Sequence, residues 1–255
     1  MIHLLRKVRR TLLSGGKFRG YIGYAIGEII LVVIGILIAL QINNWNEQYK
    51  DRQLEQSYYC KFLEDVNQDH ALVKKLLVED SVRIKYSLEL LHLLQTPHPE
   101  RSRVIFLLRE TISKIRFRFR PSLSAFDDLK SSGKLTILRN ATIKNGLLNY
   151  YAQMEGYGDI SDLVADASLA LYINPSKDFV EYGIQDIYYV RNELDSVLLN
   201  SDALAAHNFP SADLRKKLMS EAMFNLNNNA RKKELYLTML DEIEKIKSLL
   251  QAACR

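Results

Sequence analysis

A single carboxylic acid lies within an otherwise apolar stretch near the start of the chain. Glu28 is the only charged residue between Tyr21 and Ile42. An acid at mid-depth in a bilayer costs about 3 kcal/mol on insertion scales, so its carboxyl group must find water or a partner. Three arrangements satisfy this need. The group can snorkel to the nearer interface, hydrogen-bond across an oligomer in its protonated form, or pair with a cation or carry protons in a larger complex.

The residue types that build most catalytic and metal sites are scattered through the rest of the chain. The histidines show no zinc-type spacing, neither cysteine stands beside one, and no phosphate loop, G-x-S-x-G or H-E-x-x-H motif occurs. The sequence therefore predicts no catalytic residue, no metal site and no cofactor. We expect His70, which falls on an apolar face, to be a core histidine with a hydrogen-bond partner. The other histidines are His3, His92, His98 and His207.

Acids adjacent in sequence occur four times and are natural candidates for general acid–base chemistry. Neighbours on a helix diverge by about 100°, however, so the two carboxylates of a pair do not converge on one substrate. We interpret these pairs as parts of solvated helix faces. They are Glu64–Asp65, Glu79–Asp80, Asp127–Asp128 and Asp241–Glu242.

The segment that holds Glu28 is long enough to cross a membrane. Its 22 residues, at about 1.5 Å each, span about 33 Å, against about 30 Å of hydrocarbon. Tyr21 and Tyr24 at one end and Trp45 at the other are typical of the headgroup zone. The alternative is a buried helix of a soluble domain, but such helices rarely run this long without polar positions.

The charge beside this segment predicts its orientation. Residues 1–20 carry six cations and no acid, and positive flanks stay in the cytoplasm. We expect a cytoplasmic flank at 1–20, a transmembrane helix at 21–42 in the inner membrane, and a periplasmic helical domain at 43–255. A cleavable signal peptide is the rival interpretation, but the Ala-x-Ala spacing of a cleavage site is missing. The cations expected at the membrane interface are Arg6, Lys7, Arg9, Arg10, Lys17 and Arg19.

The distribution of net charge argues against nucleic acid as a partner. Residues 1–42 hold six Lys and Arg and one acid, whereas residues 43–255 hold 29 of each sign. The basic isoelectric point therefore belongs to the flank of the anchor, and nucleic-acid binding has no support. The expected partner is the lipid bilayer, because residues 1–13 can also lie on the anionic inner leaflet as an amphipathic helix.

Small residues recur on one side of the predicted anchor. Gly23 and Gly27 form a small-xxx-small pair, and Gly35 continues the spacing. Such a face lets two helices approach closely, and Glu28 borders it. We therefore expect these four residues to pack in the membrane against a second copy of the chain or against another membrane protein.

Two segments of the chain resemble a known family. "YAIGEIILVVIGILIALQINNWNE", residues 24–47, is similar to the N-terminal signature of a family of uncharacterised single-pass membrane proteins, abundant in Bacteroidota and described only as a domain of unknown function. "SLSAFDDLKSSGKLTILRNATIKNGLLNYY", residues 122–151, resembles the second shared segment of that family. The resemblance implies an inner-membrane anchor and a helical periplasmic domain, and it implies no activity.

The outer domain is predicted to begin with a long helix at about 45–95. Apolar residues recur there with 4-3 spacing, which is the heptad pattern of a helix seam, interrupted by Arg52, Gln56 and Asp80. Pro97 and Pro99 end this helix. The predicted seam residues are Tyr59, Leu63, Val66, His70, Val73, Leu77, Ile84, Leu88 and Leu91.

The remainder, about 99–255, is predicted to be an antiparallel helical bundle, so the fold class is all-α. Further helices fit 100–115, 176–199, 211–226 and 229–253, with the run of asparagines at 227–229 as punctuation. The helix at 100–115 should bury one face, and the alternating residues 116–121 should form its extended end. That face comprises Val104, Leu107, Leu108, Thr111 and Ile115.

Local signals predict where the middle helices begin and end. Ser124 and Asp127 have the spacing of a capping box, and Gly133 is a C-terminal stop. Asn140 can cap the next helix, which should reach at least Gln153. The Gly-Tyr-Gly at 156–158 is either a break or a joint within that helix.

Charge and cysteine positions suggest contacts within the outer domain. Residues 101–144 have a net charge of +8 and residues 145–213 one of −9, which fits opposed faces in one fold or head-to-tail contact between copies. Cys60 and Cys254 would lie in an oxidising compartment. A last helix running back along the first would bring them within disulfide distance; the alternative is two unpaired thiols.

These features favour a membrane-anchored periplasmic interaction or scaffold protein that is oligomeric through its anchor and proximal helix. One alternative is the ligand-binding sensory half of a signalling system, which would need a separate output subunit because only about twenty residues face the cytoplasm. Another is an accessory subunit of a transport complex in which Glu28 contributes to the path. An enzyme ranks last.

Overall fold

The computed structural model describes residues 18–173 and 211–254, and within them every regular element is helical. They form α1 (Phe18–Leu94), α2 (Arg101–Glu110), α3 (Ser124–Ser131), a 3-10 turn (Leu135–Ile137), α4 (Ala141–Ile173) and α5 (Ala212–Ala253). The all-α fold class is therefore confirmed. The predicted helix at 176–199 lies outside the described residues.

The chain divides into two compact units. Unit 1 is Met1–Gln56 and unit 2 is Ser57–Arg255, so the boundary falls within α1. In the described part of unit 1 the only element is α1. Unit 2 holds the rest of α1 together with α2 to α5.

The core of unit 2 is built on antiparallel packing of long helices. Contacts between α1 and α5 join the earlier part of one helix to the later part of the other. Cys60 is bonded to Cys254, and Arg83, further along α1, donates to Asn229, which lies earlier in α5. α4 also runs antiparallel to α5, because the hydroxyls of Ser161 and Tyr236 lie 3.1 Å apart and Asn228 donates to Ser168. The predicted antiparallel bundle is thus found, with α5 against both other long helices.

The buried seam of α1 is a regular heptad, but it differs from the predicted one. Tyr59, Val66 and Val73 are buried as predicted. Between them, however, the buried seam residues are Phe62 and Asp69, each one position before the predicted Leu63 and His70. Leu88, also predicted for the seam, is 53% exposed. The predicted seam is wrong because polar residues occupy core positions, among them Asp80, which interrupts a purely apolar pattern. The observed seam is Tyr59, Phe62, Val66, Asp69, Val73, Leu76, Asp80, Arg83, Ser87, Leu90 and Leu94.

The segment after α2 is irregular. α2 ends at Glu110, short of the predicted 115, and turns follow through a residue with positive φ, Lys114 (57°). The five residues predicted to share a buried face are nevertheless all buried. The extended stretch that follows buries Phe119, and its backbone passes close to α4 at Gly158, where a Cβ would lie 3.2 Å from the Phe119 carbonyl oxygen. Residues 156–158 are continuous helix, so Gly158 allows close packing and does not mark a break.

The helix ends show both local and tertiary capping. Asn140 accepts hydrogen bonds from the backbone N–H groups of Thr142 and Ile143, as predicted. Gly133 (φ 69°) ends α3 in a Schellman arrangement. The predicted capping box of Ser124 and Asp127 is wrong, because the residue at the N-cap position is Leu123 and makes no side-chain cap bond.

α5 is a single helix, which corrects the predicted division at the asparagines. It runs from Ala212 to Ala253, and Asn228 and Asn229 are buried within it. Asparagine is a poor helix former, but here both amides have tertiary partners: Asn228 donates to Ser168 and Asn229 to the carbonyl oxygen of Thr111. These contacts offset the weak local propensity.

Candidate functional site: the apolar helix and three polar layers

The apolar part of α1 presents its side chains outward. Among the described residues, α1 is the one helix long and apolar enough to cross a membrane, and its most hydropathic window is 0% buried. Exposure is high along the whole stretch, with Leu31 at 71% and Trp45 at 61%. A core helix of a soluble domain would bury such residues, so this stretch needs an apolar environment.

The predicted packing face of the anchor is open in the structure. A Cβ added at Gly23, Gly27 or Gly35 would meet nothing within 4 Å, and Glu28 is exposed. Packing through these residues stays a prediction. The interface cations up to Lys17 lie outside the described residues, and the side chains of Arg19 and Tyr21 are likewise not described.

The first polar layer consists of two carboxylates one turn apart on α1, Asp65 and Asp69. Asp69 accepts hydrogen bonds from the Ser122 backbone N–H (2.8 Å) and the Tyr150 hydroxyl (2.6 Å). Asp65 accepts from the Ala125 backbone N–H (2.8 Å) and the Ser122 hydroxyl (3.2 Å). The carboxylates therefore hold the start of α3 and the first half of α4 against α1, and Asp65 supplies the cap that Ser124 does not.

Burial dominates the electrostatics of this carboxylate layer. It raises the pKa of Asp69 to about 6, although the bonds from Tyr150 and Ser122 oppose the shift. Burial also raises the pKa of the Tyr150 hydroxyl, as do Asp69 and the neighbouring carboxylates. Tyr151 packs its ring 5.0 Å from that of Phe126, and its hydroxyl has no partner among the described residues.

The second polar layer is a charged cluster deep in unit 2. Asp80 is 0% exposed and contacts the guanidinium of Arg83, and Lys232 of α5 is 1% exposed. Burial lowers the pKa of Lys232 to about 8, with the nearby Asp80 opposing the shift. The Lys232 ammonium also lies 5.9 Å from the ring centroid of Tyr236. Arg83 pairs with Asp80, and Lys232 is buried nearby without an ion pair to a described residue, which is costly without further hydrogen bonds.

Those further bonds come from the irregular turn after α2. Its alternate carbonyl oxygens point inward, and each accepts a bond from one buried side chain. A turn with inward carbonyls would be unstable in an apolar core, so the cluster and the turn satisfy each other. The bonds are Asn229 to Thr111 (3.0 Å), Arg83 to Ser113 (2.9 Å) and Lys232 to Ile115 (3.1 Å).

The third polar layer is a surface ladder between the extended segment 116–120 and α4. It joins the basic and acidic stretches within one chain, in line with the prediction of opposed faces in one fold. The arginine side chains are about half exposed, whereas Asp162 is 12% exposed, and each exposed pair contributes little alone. The pairs are Arg116–Asp166 (3.9 Å), Arg118–Asp162 (3.5 Å), Arg118–Asp166 (3.6 Å), Arg120–Asp159 (3.9 Å) and Arg120–Asp162 (2.5 Å).

The cysteines and the described histidines form structural contacts or lie exposed at the surface. Cys60 and Cys254 form a disulfide bond, with Cα atoms 4.9 Å apart. His70 lies 3.2 Å from a carboxylate oxygen of Glu244, and burial lowers its pKa. His92 and His98 are exposed, and His3 and His207 lie outside the described residues. In the described part of the chain, no three potential ligands converge on a metal position.

Two of the acid pairs are not solvated faces as interpreted from the sequence. Asp65 and Asp80 are buried, whereas Glu64 is exposed. The missed signal was the heptad spacing itself, which places Asp69, Asp80 and Arg83 at seam positions. An apolar criterion alone passes over them.

One comparison with known proteins gives a match. The model of a family of unknown function, DUF6090, matches residues 28–162. The matched range begins at Glu28, includes both carboxylates of the first polar layer with their partners, and ends at Asp162 in the ladder. No curated protein and no solved structure matches the chain.

Proposed function

The chain belongs to the DUF6090 family of unknown function, and from that premise we propose that it is a single-pass, membrane-anchored interaction or scaffold protein with a periplasmic helical domain. The observation that carries the proposal is the exposed apolar stretch of α1, which is followed in the chain by a folded helical unit. Leu31 and its neighbours have no protein partner among the described residues that would cover them. About 20 such residues are what a bilayer requires.

Two independent features support the compartment and the orientation. The Cys60–Cys254 disulfide is stable in an oxidising compartment such as the periplasm and rare in the cytosol. The six N-terminal cations favour a cytoplasmic N-terminus. Both support a periplasmic position for residues 43–255. The likeness of residues 24–47 to anchors abundant in Bacteroidota agrees with this assignment.

The polar layers of unit 2 favour a scaffold role over a chemical one. The oxygens of Asp65 and Asp69 accept hydrogen bonds from backbone and tyrosine donors, and the side-chain N–H groups of Arg83 and Lys232 donate to backbone carbonyl oxygens. Groups engaged in this way position the chain and do not face a substrate. We assign oligomerisation to the anchor, through Gly23, Gly27, Glu28 and Gly35.

The orientation is tested by reporter fusions to the full chain. Alkaline phosphatase fused after Arg255 should be active, because the enzyme folds only in the periplasm. The same reporter fused after Lys17, before the apolar stretch, should be inactive and serves as the matched control. An inactive fusion after Arg255, or release of the chain from membranes by carbonate at high pH, would contradict the proposal.

A further inference from the structure

One end of unit 2 carries a concentrated positive charge. Residues 129–145, which we term the cationic cap, hold Lys130, Lys134, Arg139 and Lys144 and no acid. They comprise the end of α3, the Schellman turn, the 3-10 turn and the start of α4. This is the end of the unit at which α1 enters it, because Tyr58 donates a 3.1 Å hydrogen bond to Asp128, just before the cap.

Two lysines of the cap differ from the arginines that precede it in forming no ion pair within the described part of the chain. Arg116, Arg118 and Arg120 are bonded to acids of α4. Lys130 and Lys134, in contrast, are exposed and form no ion pair with another described residue. Exposed lysines without an ion pair, as Lys130 and Lys134 are among the described residues, attract an anionic partner.

We propose that the cationic cap binds the anionic phospholipid headgroups of the membrane in which the chain is anchored. The inference rests on the proposed anchoring. Unit 2 begins at Ser57, which follows Trp45 by twelve helical residues. A connection this short gives the headgroups a high effective concentration around the unit, so electrostatic attraction by a few lysines is sufficient for contact.

The alternative anionic partner is the acidic stretch of a second copy, in head-to-tail contact. The described part of that stretch argues against it. Asp159, Asp162 and Asp166 of α4 already pair with the arginines of their own chain. A second copy would have to break these pairs to receive the cap, whereas an anionic leaflet offers free phosphates.

The test uses the full chain reconstituted into bilayers of phosphatidylcholine with or without phosphatidylglycerol. Phosphatidylglycerol that carries a photoreactive headgroup should label peptides spanning 129–145, and 0.5 M salt should suppress the labelling. In Lys130→Glu/Lys134→Glu we expect the yield to fall at least about thirtyfold, because two lysines near an anionic surface supply about that factor of attraction. Lys74→Glu/Lys85→Glu, the same change at exposed positions of α1, should leave the yield unchanged.

A second probe keeps failure of this inference apart from failure of the proposed function. A lipid photoreactive in its acyl chain should label residues 22–42 in every variant if the chain is anchored. Anchor labelling without cap labelling, or cap labelling that the charge reversal does not change, would overturn the inference alone. Cross-links from the cap to α4 of another copy would overturn the inference and show that the cap binds the acidic surface of a second copy. Absence of labelling at 22–42 would instead refute the anchoring.

Discussion

The Tyr150 hydroxyl of α4 donates a 2.6 Å hydrogen bond to the Asp69 carboxylate of α1, within a layer that holds a second carboxylate, Asp65, and whose observed donors are neutral. Neutral donors compensate a buried charge less well than a cation does. The layer therefore tethers two elements to α1 and leaves a carboxylate that is easier to protonate than usual.

Stability should depend on pH through Asp69. Burial raises its folded-state pKa to about 6, above the ordinary aspartate pKa of 3.8. The folded state thus binds the proton more tightly than the unfolded state, and stability should fall as pH rises from about 4 to about 6, by about 3 kcal/mol. In thermal melts of the full chain in detergent, Asp69→Asn should flatten this dependence. Asp65, Tyr150 and Tyr151 also face the layer, so the readout is the difference from wild type.

The matched control for this experiment is Asp128→Asn. Asp128 is exposed, and its pKa is lowered by the bonds it accepts from Lys61 and Tyr58. Its removal should leave the slope between pH 4 and 6 in place. A slope between pH 4 and 6 in Asp69→Asn that equals the wild-type slope would show that the Asp69 carboxyl does not titrate as inferred.

The charged cluster should behave as a coupled unit. Asp80→Ala leaves Arg83 and Lys232 buried without their anion, which should cost about 3–5 kcal/mol of unfolding free energy. Lys232→Met should also destabilise, because the Ile115 carbonyl oxygen loses its donor. The double variant should cost less than the two single changes together, as urea unfolding can measure. Lys233→Met, at the exposed neighbouring position, is the control and should be near neutral.

The two glycines of the Gly-Tyr-Gly in α4 should respond oppositely to alanine. A Cβ at Gly156 meets nothing within 4 Å, so Gly156→Ala should stabilise by about 1 kcal/mol through helix propensity. A Cβ at Gly158 would lie 3.2 Å from the backbone oxygen of Phe119, which has little freedom to move. Gly158→Ala should therefore be less stable than Gly156→Ala by about 1–2 kcal/mol. Equal stability of the two variants in denaturant titrations would show that the extended segment packs less closely on α4.

The sequence predicted the features that are decided by neighbours along the chain. Asn140 caps α4, Gly133 ends α3, and the buried face after Val104 is correct, because each depends on residues within one or two turns. The same locality explains the failure at α3. Its cap comes from Asp65, about sixty positions earlier, and no local pattern reveals such a partner.

The polar layers could not be found by selecting apolar residues. Asp69, Asp80 and Arg83 occupy heptad positions. The free-energy cost of burying them is offset because α5 and the segment after α2 supply hydrogen-bond donors and acceptors. Asn229 shows the same dependence from the other side, since its amide has a partner only in the folded unit. The heptad spacing therefore predicts where these residues lie on the helix, whereas their hydrogen-bond partners can be identified only from the folded structure.

The anchor should self-associate through its glycine face, with Glu28 at the edge. Gly27→Leu should reduce cross-linking between copies in membranes, because the side chain separates helices that otherwise approach closely. Glu28→Gln should be mild, since the amide keeps a donor and an acceptor across the contact, whereas Glu28→Ala should weaken association and ease insertion. Interhelical hydrogen bonds of this kind contribute about 0.6–2 kcal/mol. Val33→Leu is the control and should change nothing, because Val33 lies about 120° from Gly27 on the side of the helix away from Glu28 and Gly35.

Two outcomes would separate the readings of Glu28. Unchanged cross-linking in Gly27→Leu would mean that the glycine face meets lipid or a different protein, and that oligomerisation has to arise elsewhere. Damage by Glu28→Gln as severe as that by Glu28→Ala would mean that the charge itself is needed, because the amide preserves the hydrogen bonding. Pairing with a cation, or proton transfer within a larger complex, would then replace the interhelical hydrogen bond as the role of this acid.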